Sequence, residues 1–466
     1  MASVSWSEAL FPVPMQRVAV VVPRTAERDA MACLAEAGCV DLDRAGGPGS
    51  PGDTSSYQDP QARAALAATA PAPSVLQQAR HADLLAGERE VTARLGDAVR
   101  RGDVAALAGW CPRAEVGPLG ARLAALGGAL VPMAPPGGID PPTALRHTGP
   151  VRGACSSLVT AYGTPPYPDL DPSWAAAALY AVMFGMMFGD VGHGALLLLA
   201  ALGLAVRRPR RLAAWQGVWP LVAAAGALSI VAGLAYGEFF GPTGVLPVLW
   251  LAPLHAPVRL LLSAVVVGAV LLLLAYGAGA VNRWRERGLS GALYSLSGIA
   301  GGSVFLGLAA VATGAVGHLT WLVAVGAAVA VGGVLLAAVG LYAGTGRGLS
   351  GLLQTGVQLF DGVVRILSNV VSFARLAAFG LTHAALGAVV WSGTTAFARH
   401  GPAGLLGAVV LFVVGNVLVF ALEALVAGVQ ALRLEYFELF SRVFEGQGRP
   451  FRPWRLPVRR SSEVVP

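Results

Sequence analysis

The sequence contains no lysine: all 33 basic residues are arginine. That excludes a Walker A loop, whose lysine reaches the nucleotide phosphates, and it excludes a Schiff-base lysine. If the protein works with ATP, another chain must bind the nucleotide. Charge is scarce too. Charged residues make up only 13 % of the chain, about half the share of a soluble domain. The four cysteines, Cys33, Cys39, Cys111 and Cys155, have no metal-site spacing and read as buried thiols, so no metal and no bound cofactor is expected. Met1–Pro12 lacks a basic start followed by an apolar run, so no signal peptide is expected. The net charge of +7 follows from positive loops and calls for no nucleic-acid partner.

What the chain has in quantity is apolar sequence. Hydrophobic residues are 55 % of its 466, and residues 174–440 hold several stretches of 20 or more with almost no charge. These read as transmembrane helices. Residues 1–170 read as a small cytoplasmic α/β domain with a short helical hairpin, 171–445 as a membrane domain and 446–466 as a basic cytoplasmic tail. In the first part Val18–Val22, Ala26–Gly38 and Cys39–Leu42 predict strand, helix and return strand. Residues 46–60 predict a loop, 74–101 a helix, and Trp110 to Met133 a second αβ unit with its helix over Val116–Leu126. The proline-rich residues 134–173 predict a linker into the membrane.

The apolar segments run over about 174–205, 212–238, 257–281, 290–314, 319–343, 351–399 and 404–440. Arginines mark cytoplasmic loops. They cluster at Arg207, Arg208, Arg210 and Arg211, at Arg283, Arg285 and Arg287, at Arg347 and over Arg449–Arg460, while loops 239–256, 315–318 and 400–403 have none. This alternation requires the first segment to enter and leave on one side, in too few residues for two crossings. A re-entrant pair broken at Gly189–Gly194 satisfies it. The expected fold is therefore a polytopic α-helical membrane protein with eight membrane helices: a re-entrant pair plus six crossings, the last two long, tilted and joined as a hairpin. Both termini are expected in the cytoplasm.

Those last two helices carry polar residues at helical spacing. Asp361, Ser368, Ser372, Arg375 and Thr382 share one face of the first. His383 lies about 80° round from Arg375. Asn416, Glu423 and Gln430 repeat every seven residues on the second, with Arg433 three further on. An arginine far from either helix end costs roughly 2.5–3.5 kcal/mol to insert and marks function. The structural alternative is an Arg375–Glu423 pair that only holds the hairpin together. For His383 the alternative is a bond to a backbone carbonyl, for Arg433 an interfacial anchor, and for Asp361 a pair with Arg365. Asp190 and His193 read as caps of the broken half-helix more than as proton carriers. Glu238 reads as a turn or lip residue at the outer interface.

These motifs resemble the membrane "a" subunit of V-type and A-type rotary ATPases, called subunit I in bacteria. The resemblance rests on Met183 to Gly194, Gly237-Glu238-Phe239-Phe240-Gly241, Leu367–Ala384 and Leu422–Gly448. Ala108 to Pro112 and Tyr162 to Tyr167 match more weakly. It implies that Arg375 is the family's essential arginine, with Phe373 where a tyrosine is usual, and that His383, Glu423, Arg433 and Asp361 occupy its relay positions. It also implies two aqueous half-channels that do not meet, lined by residues such as Ser368, Ser372, Thr382, Asn416 and Gln430. The implied partners are a ring of small proteolipid subunits, E/G-type peripheral stalks, a d/C-type central-stalk socket, the ATPase A and B subunits, and the lipid bilayer. The chain itself would bind no nucleotide, and the ion would be H⁺ or alternatively Na⁺. Only residues 60–105 are left for a coiled coil, so the lobe far from the membrane is expected to be reduced. Arginine, alanine and glycine richness suggests a GC-rich bacterium, hence the cell membrane. A secondary ion-coupled transporter is the alternative; it predicts inverted repeats, and the Ser372 to Leu376 pattern has no second copy. A non-conducting scaffold is a third class, and Arg375 argues against it.

Overall fold

In a computed structural model the described residues are 11–43, 64–67, 82–145, 149–207, 216–345, 348–444 and 448–459. The expected loop at 46–60, residues 60–63 and 68–81 of the segment left for a coiled coil, Arg208, Arg210, Arg211, Arg347 and Glu445 to Gln447 lie outside them. The chain divides into two compact units. One comprises residues 12–144 with 448–466, the other residues 1–11 with 145–447.

The smaller unit is an antiparallel sheet covered on one face by helices. Strand β1 (Met15–Pro23) is followed by α1 (Glu27–Ala37), β2 (Asp41–Leu42), β3 (Leu66–Ala67), α2 (Ala82–Gly96), β4 (Val99–Arg101), β5 (Val104–Pro112), α3 (Val116–Ala124) and β6 (Ala129–Met133). The sheet order is β2-β5-β1-β6, with β4 on β5. Residues Met15 and Val22 pair with Pro112 and Ala105 across the centre. Alternation in β1 turns Val18, Val20 and Val22 inward, where Met31, Leu34, Leu119 and Leu123 cover them. The helix expected over 74–101 is described over Ala82–Gly96 and then gives way to the β4–β5 hairpin, because Gly102 at φ 60° permits the turn.

The segment expected as a basic tail contributes to this unit. Strand β7 (Val458–Arg459) pairs in parallel with β3. Trp454 and Leu456 join the core, and Trp454 N–H donates to the Val40 carbonyl at 2.9 Å. Arg449 pairs with Asp41 at 3.2 Å. The apolar side chains between the arginines supply the burial that a solvated tail would forgo.

The larger unit is helical. The expected proline-rich linker contains α4 (Pro150–Tyr162), which starts on a proline suited to the first helical turn. Two short apolar helices follow, α5 (Ser173–Met187) and α6 (Val191–Arg207). Then come α7 (Trp219–Tyr236), α8 (Pro257–Tyr294), α9 (Ile299–Val316), α10 (Thr320–Gly344), α11 (Leu349–Ser372), α12 (Ala374–Ala398) and α13 (Gly401–Leu434). A π-helical stretch, Glu435–Phe440, continues α13 into the single turn α14 (Ser441–Val443). Among the described residues six helices are long and apolar enough to cross a membrane, counting α11–α12 and α13–α14 as continuous. They carry exposed Val231, Leu262, Leu335 and Leu422, as a protein solvated by lipid tails requires. The chain is an integral membrane protein on this evidence.

Two boundaries differ from expectation. The arginine loop at 283–287 is helical, because α8 runs on to Tyr294 and breaks only at Gly288 (φ 74°). The crossing expected at 290–314 consequently starts at Ile299. The expected 50-residue helix is present over Leu349–Ala398 but is interrupted by one turn at Phe373. Phe373 is fully buried against Gly268 of α8, where an added Cβ would lie 2.2 Å from the ring. The aromatic fills that notch and fixes the level of the neighbouring Arg375.

Candidate functional site

Helices α12 and α13 pack as the antiparallel hairpin that the short 399–400 connection requires. Their polar residues meet in pairs. Arg375 Nη1 donates to Gln430 Oε1 at 3.4 Å, a long bond. Two turns further along α12, His383 Nδ1 contacts Glu423 Oε2. The glutamate is thus the partner of His383 and not of Arg375, which corrects the structural alternative weighed for Arg375. It also corrects the carbonyl-bound reading of His383. The reason is axial level: in an antiparallel hairpin Gln430 faces Arg375, and Glu423, seven residues back, faces a point farther along α12.

The stripe on α11 and α12 is less uniform than its spacing predicts. Asp361 is exposed and pairs with Arg365 at 2.5 Å. Ser372 donates to the Ser368 carbonyl at 3.1 Å and Thr382 to the Ala378 carbonyl at 2.9 Å. Asn416 is buried and donates to the Phe412 carbonyl at 2.8 Å. Arg433 is exposed on the last turn of α13. Below Arg375 a second group gathers. With its amide turned to face matching partners, Asn369 donates to Glu438 at 2.8 Å and accepts from Arg442 at 3.1 Å. These three residues were not singled out from sequence. Asn369 lies off the stripe, and Glu438 and Arg442 are rotated into place by the π-helical register after Leu434.

The larger surprise is what joins His383. Asp190 caps α6, its Oδ1 accepting from His193 N–H at 2.9 Å, as expected of a cap. It also holds the 237–242 turn, accepting from Phe240 N–H at 3.0 Å and, through Oδ2, from Gly241 N–H at 2.7 Å. That turn presses on α12 at Gly387, where a Cβ on Gly241 would lie 2.9 Å from the backbone. His193 is thereby brought to His383, with ring centroids 5.4 Å apart, and Phe188 lies against His383 with its ring tilted by 55° and the centroids 4.8 Å apart. Glu238, read as a lip residue, is only 3 % exposed. Its backbone carbonyl accepts from Val191 N–H at 3.1 Å, so the turn and the α6 start are tied both ways. Spacing along one helix cannot reveal a cluster assembled from three segments; the glycines of the 189–194 and 237–241 motifs and Asp190 were its only signal.

This geometry, a buried cluster of histidines and carboxylates that shares helix α12 with Arg375, falls on the same segments that comparison with known sequences picks out. The profile of the V-type ATPase 116kDa subunit family matches residues 100–245 and 359–456, together more than half of the chain. The chain belongs to that family. It is 29 % identical over 404 residues to the A-type ATP synthase subunit I of Archaeoglobus fulgidus, covering 75 % of this chain and 58 % of that protein. The Halobacterium salinarum A-type ATP synthase subunit I is 28 % identical over 390 residues, 70 % of this chain and 53 % of that one. A shorter stretch of 99 residues is 39 % identical to the V-type ATP synthase subunit I 2 of Treponema pallidum, 21 % of this chain and 22 % of that one. The chain spans little more than half the length of these two archaeal relatives. The second matched block, 359–456, contains Arg375, His383, Glu423, Gln430 and Arg433, and the first contains Asp190, His193 and Glu238.

Proposed function

We propose that this chain is the stator membrane subunit of a V/A-type rotary ATPase and provides the ion path against a rotating ring. The observation that carries this is the pair of polar stations on the hairpin. Arg375 with Gln430 and His383 with Glu423 stand eight residues apart on α12, about 12 Å along the axis. Two separated stations suit two half-channels that do not meet. A ring subunit's carboxylate passes Arg375, whose permanent charge favours the ionised acid and drives off its proton. One half-channel, with Asp361, Ser368 and Ser372, opens to the cytoplasm. The other, with Glu423, His383, Thr382 and Asn416, opens outward. Arg375 separates them, and a leak there would dissipate roughly 2.3 kcal/mol per charge per 100 mV. Arg433 belongs to the cytoplasmic side. Asp190 and Glu238 shape the wall.

The same reading takes α5 and α6 as a re-entrant pair, puts both termini in the cytoplasm, and places the complex in a bacterial cell membrane. Its partners are the proteolipid ring, E/G-type stalks, a d/C-type socket and the A and B ATPase subunits, and its ion is H⁺ or Na⁺. Family membership weighs against the secondary-transporter alternative. The test is ATP-driven ion uptake by vesicles carrying the whole complex. Arg375→Gln is expected to cut uptake more than tenfold with assembly intact by co-purification. Normal uptake in that variant overturns the role of Arg375, and a chain that never co-purifies with an ATPase overturns the rotary reading.

A further inference from the structure

The proposed ion path uses only part of the cluster around His383. Asp190, His193 and His383 each present a ligand atom, and these atoms lie within 4.8 Å of one another. The three residues are 0 %, 1 % and 2 % exposed. Neither ring nitrogen of His193 has a hydrogen-bond partner among the described residues, and Glu423 Oε1 has none either. The Asn416 amide lies nearby but donates to Phe412. Ring packing of His193 on Phe188 and Phe240 satisfies neither nitrogen. A buried imidazole left in that condition is unfavourable, and it is aimed at two other donors.

From this arrangement we infer that Asp190, His193 and His383, with Glu423 as fourth donor, form a binding site for a transition-metal dication of the Zn²⁺ class. Three atoms no more than 4.8 Å apart share a point within about 2.8 Å of each, and bonds of ~2.0–2.2 Å then need shifts of about 0.7 Å per side chain. Two imidazoles with carboxylates suit Zn²⁺, whereas Mg²⁺ and Ca²⁺ prefer oxygen alone. Asp190 and Glu423 together cancel the ion's two charges, the condition for holding a dication in apolar surroundings. Asp190 is already oriented by three backbone N–H groups, so it needs little reorganisation. One consequence rests on the rotary reading: a metal that engages Glu423 and His383 breaks their mutual contact and stops ion flow through the outer half-channel.

The site is tested by metal binding, which needs no pumping. The full chain, purified in detergent with whatever subunits it retains and stripped of metal, is titrated with Zn²⁺ and with Co²⁺. Bound metal is measured after desalting, and Co²⁺ absorption reports four-coordinate geometry. One equivalent per chain is expected. Its affinity falls at least tenfold in His193→Gln, returns in His193→Cys, and persists when the five histidines outside the cluster, His81, His147, His255, His318 and His400, are all changed to Gln. A wild-type chain that retains no metal overturns the proposal. So does metal retained equally by His193→Gln, or lost with the other five histidines. In pumping vesicles, the Zn²⁺ concentration that halves each variant's own metal-free rate rises at least tenfold in His193→Gln; an unchanged value overturns the consequence alone.

Discussion

The two units handle buried polarity in opposite ways. In the sheet unit opposite charges meet one another: Arg17 with Asp43 at 2.7 Å, Arg28 with Glu88 at 2.5 Å, and Arg449 with Asp41. These pairs sit at the rim of an apolar core, and of their charged groups only Arg28 Nη1 is buried without a hydrogen-bond partner among the described residues. In the helical unit the ionisable groups lie among packed apolar helices with bonding capacity to spare. His193, one oxygen of Glu423 and both oxygens of Glu435 have no hydrogen-bond partner among the described residues. A scaffold gains nothing from such groups, because each destabilises the fold. Their presence argues that the helical unit exchanges something through them, while the sheet unit is built to hold its shape.

The comparison breaks first at Glu423. Glu423→Gln is expected to lower ATP-driven ion uptake on the order of tenfold to a hundredfold, a general acid–base magnitude, while leaving assembly intact. Lost assembly would make Glu423 structural, like the rim charges of the other unit, and normal uptake by an intact complex would remove it from the ion path. The converse change is Trp454→Ala in the sheet unit. Its ring is 5 % exposed and its Nε1–H donates to Glu90 at 2.8 Å, so the loss is expected to be about 3–5 kcal/mol. Labelling of the buried Cys111 thiol in the full chain reads this as at least a hundredfold faster reaction. Unchanged labelling would mean that the C-terminal segment is not part of that core.

A smaller effect sharpens the comparison outside the membrane-spanning segments. Asp169, between α4 and α5, is fully buried, and desolvation, followed by the neighbouring Glu286, pushes its pKa up to about 8. A raised carboxyl stabilises the fold while protonated, so its contribution is complete below the ordinary value of 3.8 and is lost as pH rises through about 8. Thermal unfolding of the full chain is therefore expected to show lower stability at pH 8 than at pH 5. Asp169→Asn should flatten that slope, and an unchanged slope would remove Asp169 from the argument.

Much of this was legible in the chain itself. Long uncharged runs can only be solvated by lipid or by each other, so the crossings stood out. Period-two valines in β1 and the glycine after α1 gave the start of the sheet unit. The Asp190 cap was readable because an aspartate before a glycine-rich helix start has one obvious use. What stayed hidden depended on contacts between distant segments. Trp454 and Leu456 sit among arginines and read as tail until β7 pairs with β3. Phe373 interrupts its helix because Gly268, more than 100 residues earlier, leaves room for the ring. The direct contact of Glu423 with His383 stayed hidden because helical spacing gives a residue's face, but its level depends on how the hairpin is closed.

The central claim is that the hairpin borders two aqueous paths separated at Arg375. Single cysteines at Ser368, Ser372, Thr382 and Asn416, in a chain with Cys33, Cys39, Cys111 and Cys155 replaced by serine, report this directly when membrane-impermeant thiol reagents are applied to either face of sealed vesicles. The account predicts that the cysteines at 368 and 372 react only from the cytoplasmic face and those at 382 and 416 only from the outer face. Reaction of all four from one face, or of none from either, would contradict it.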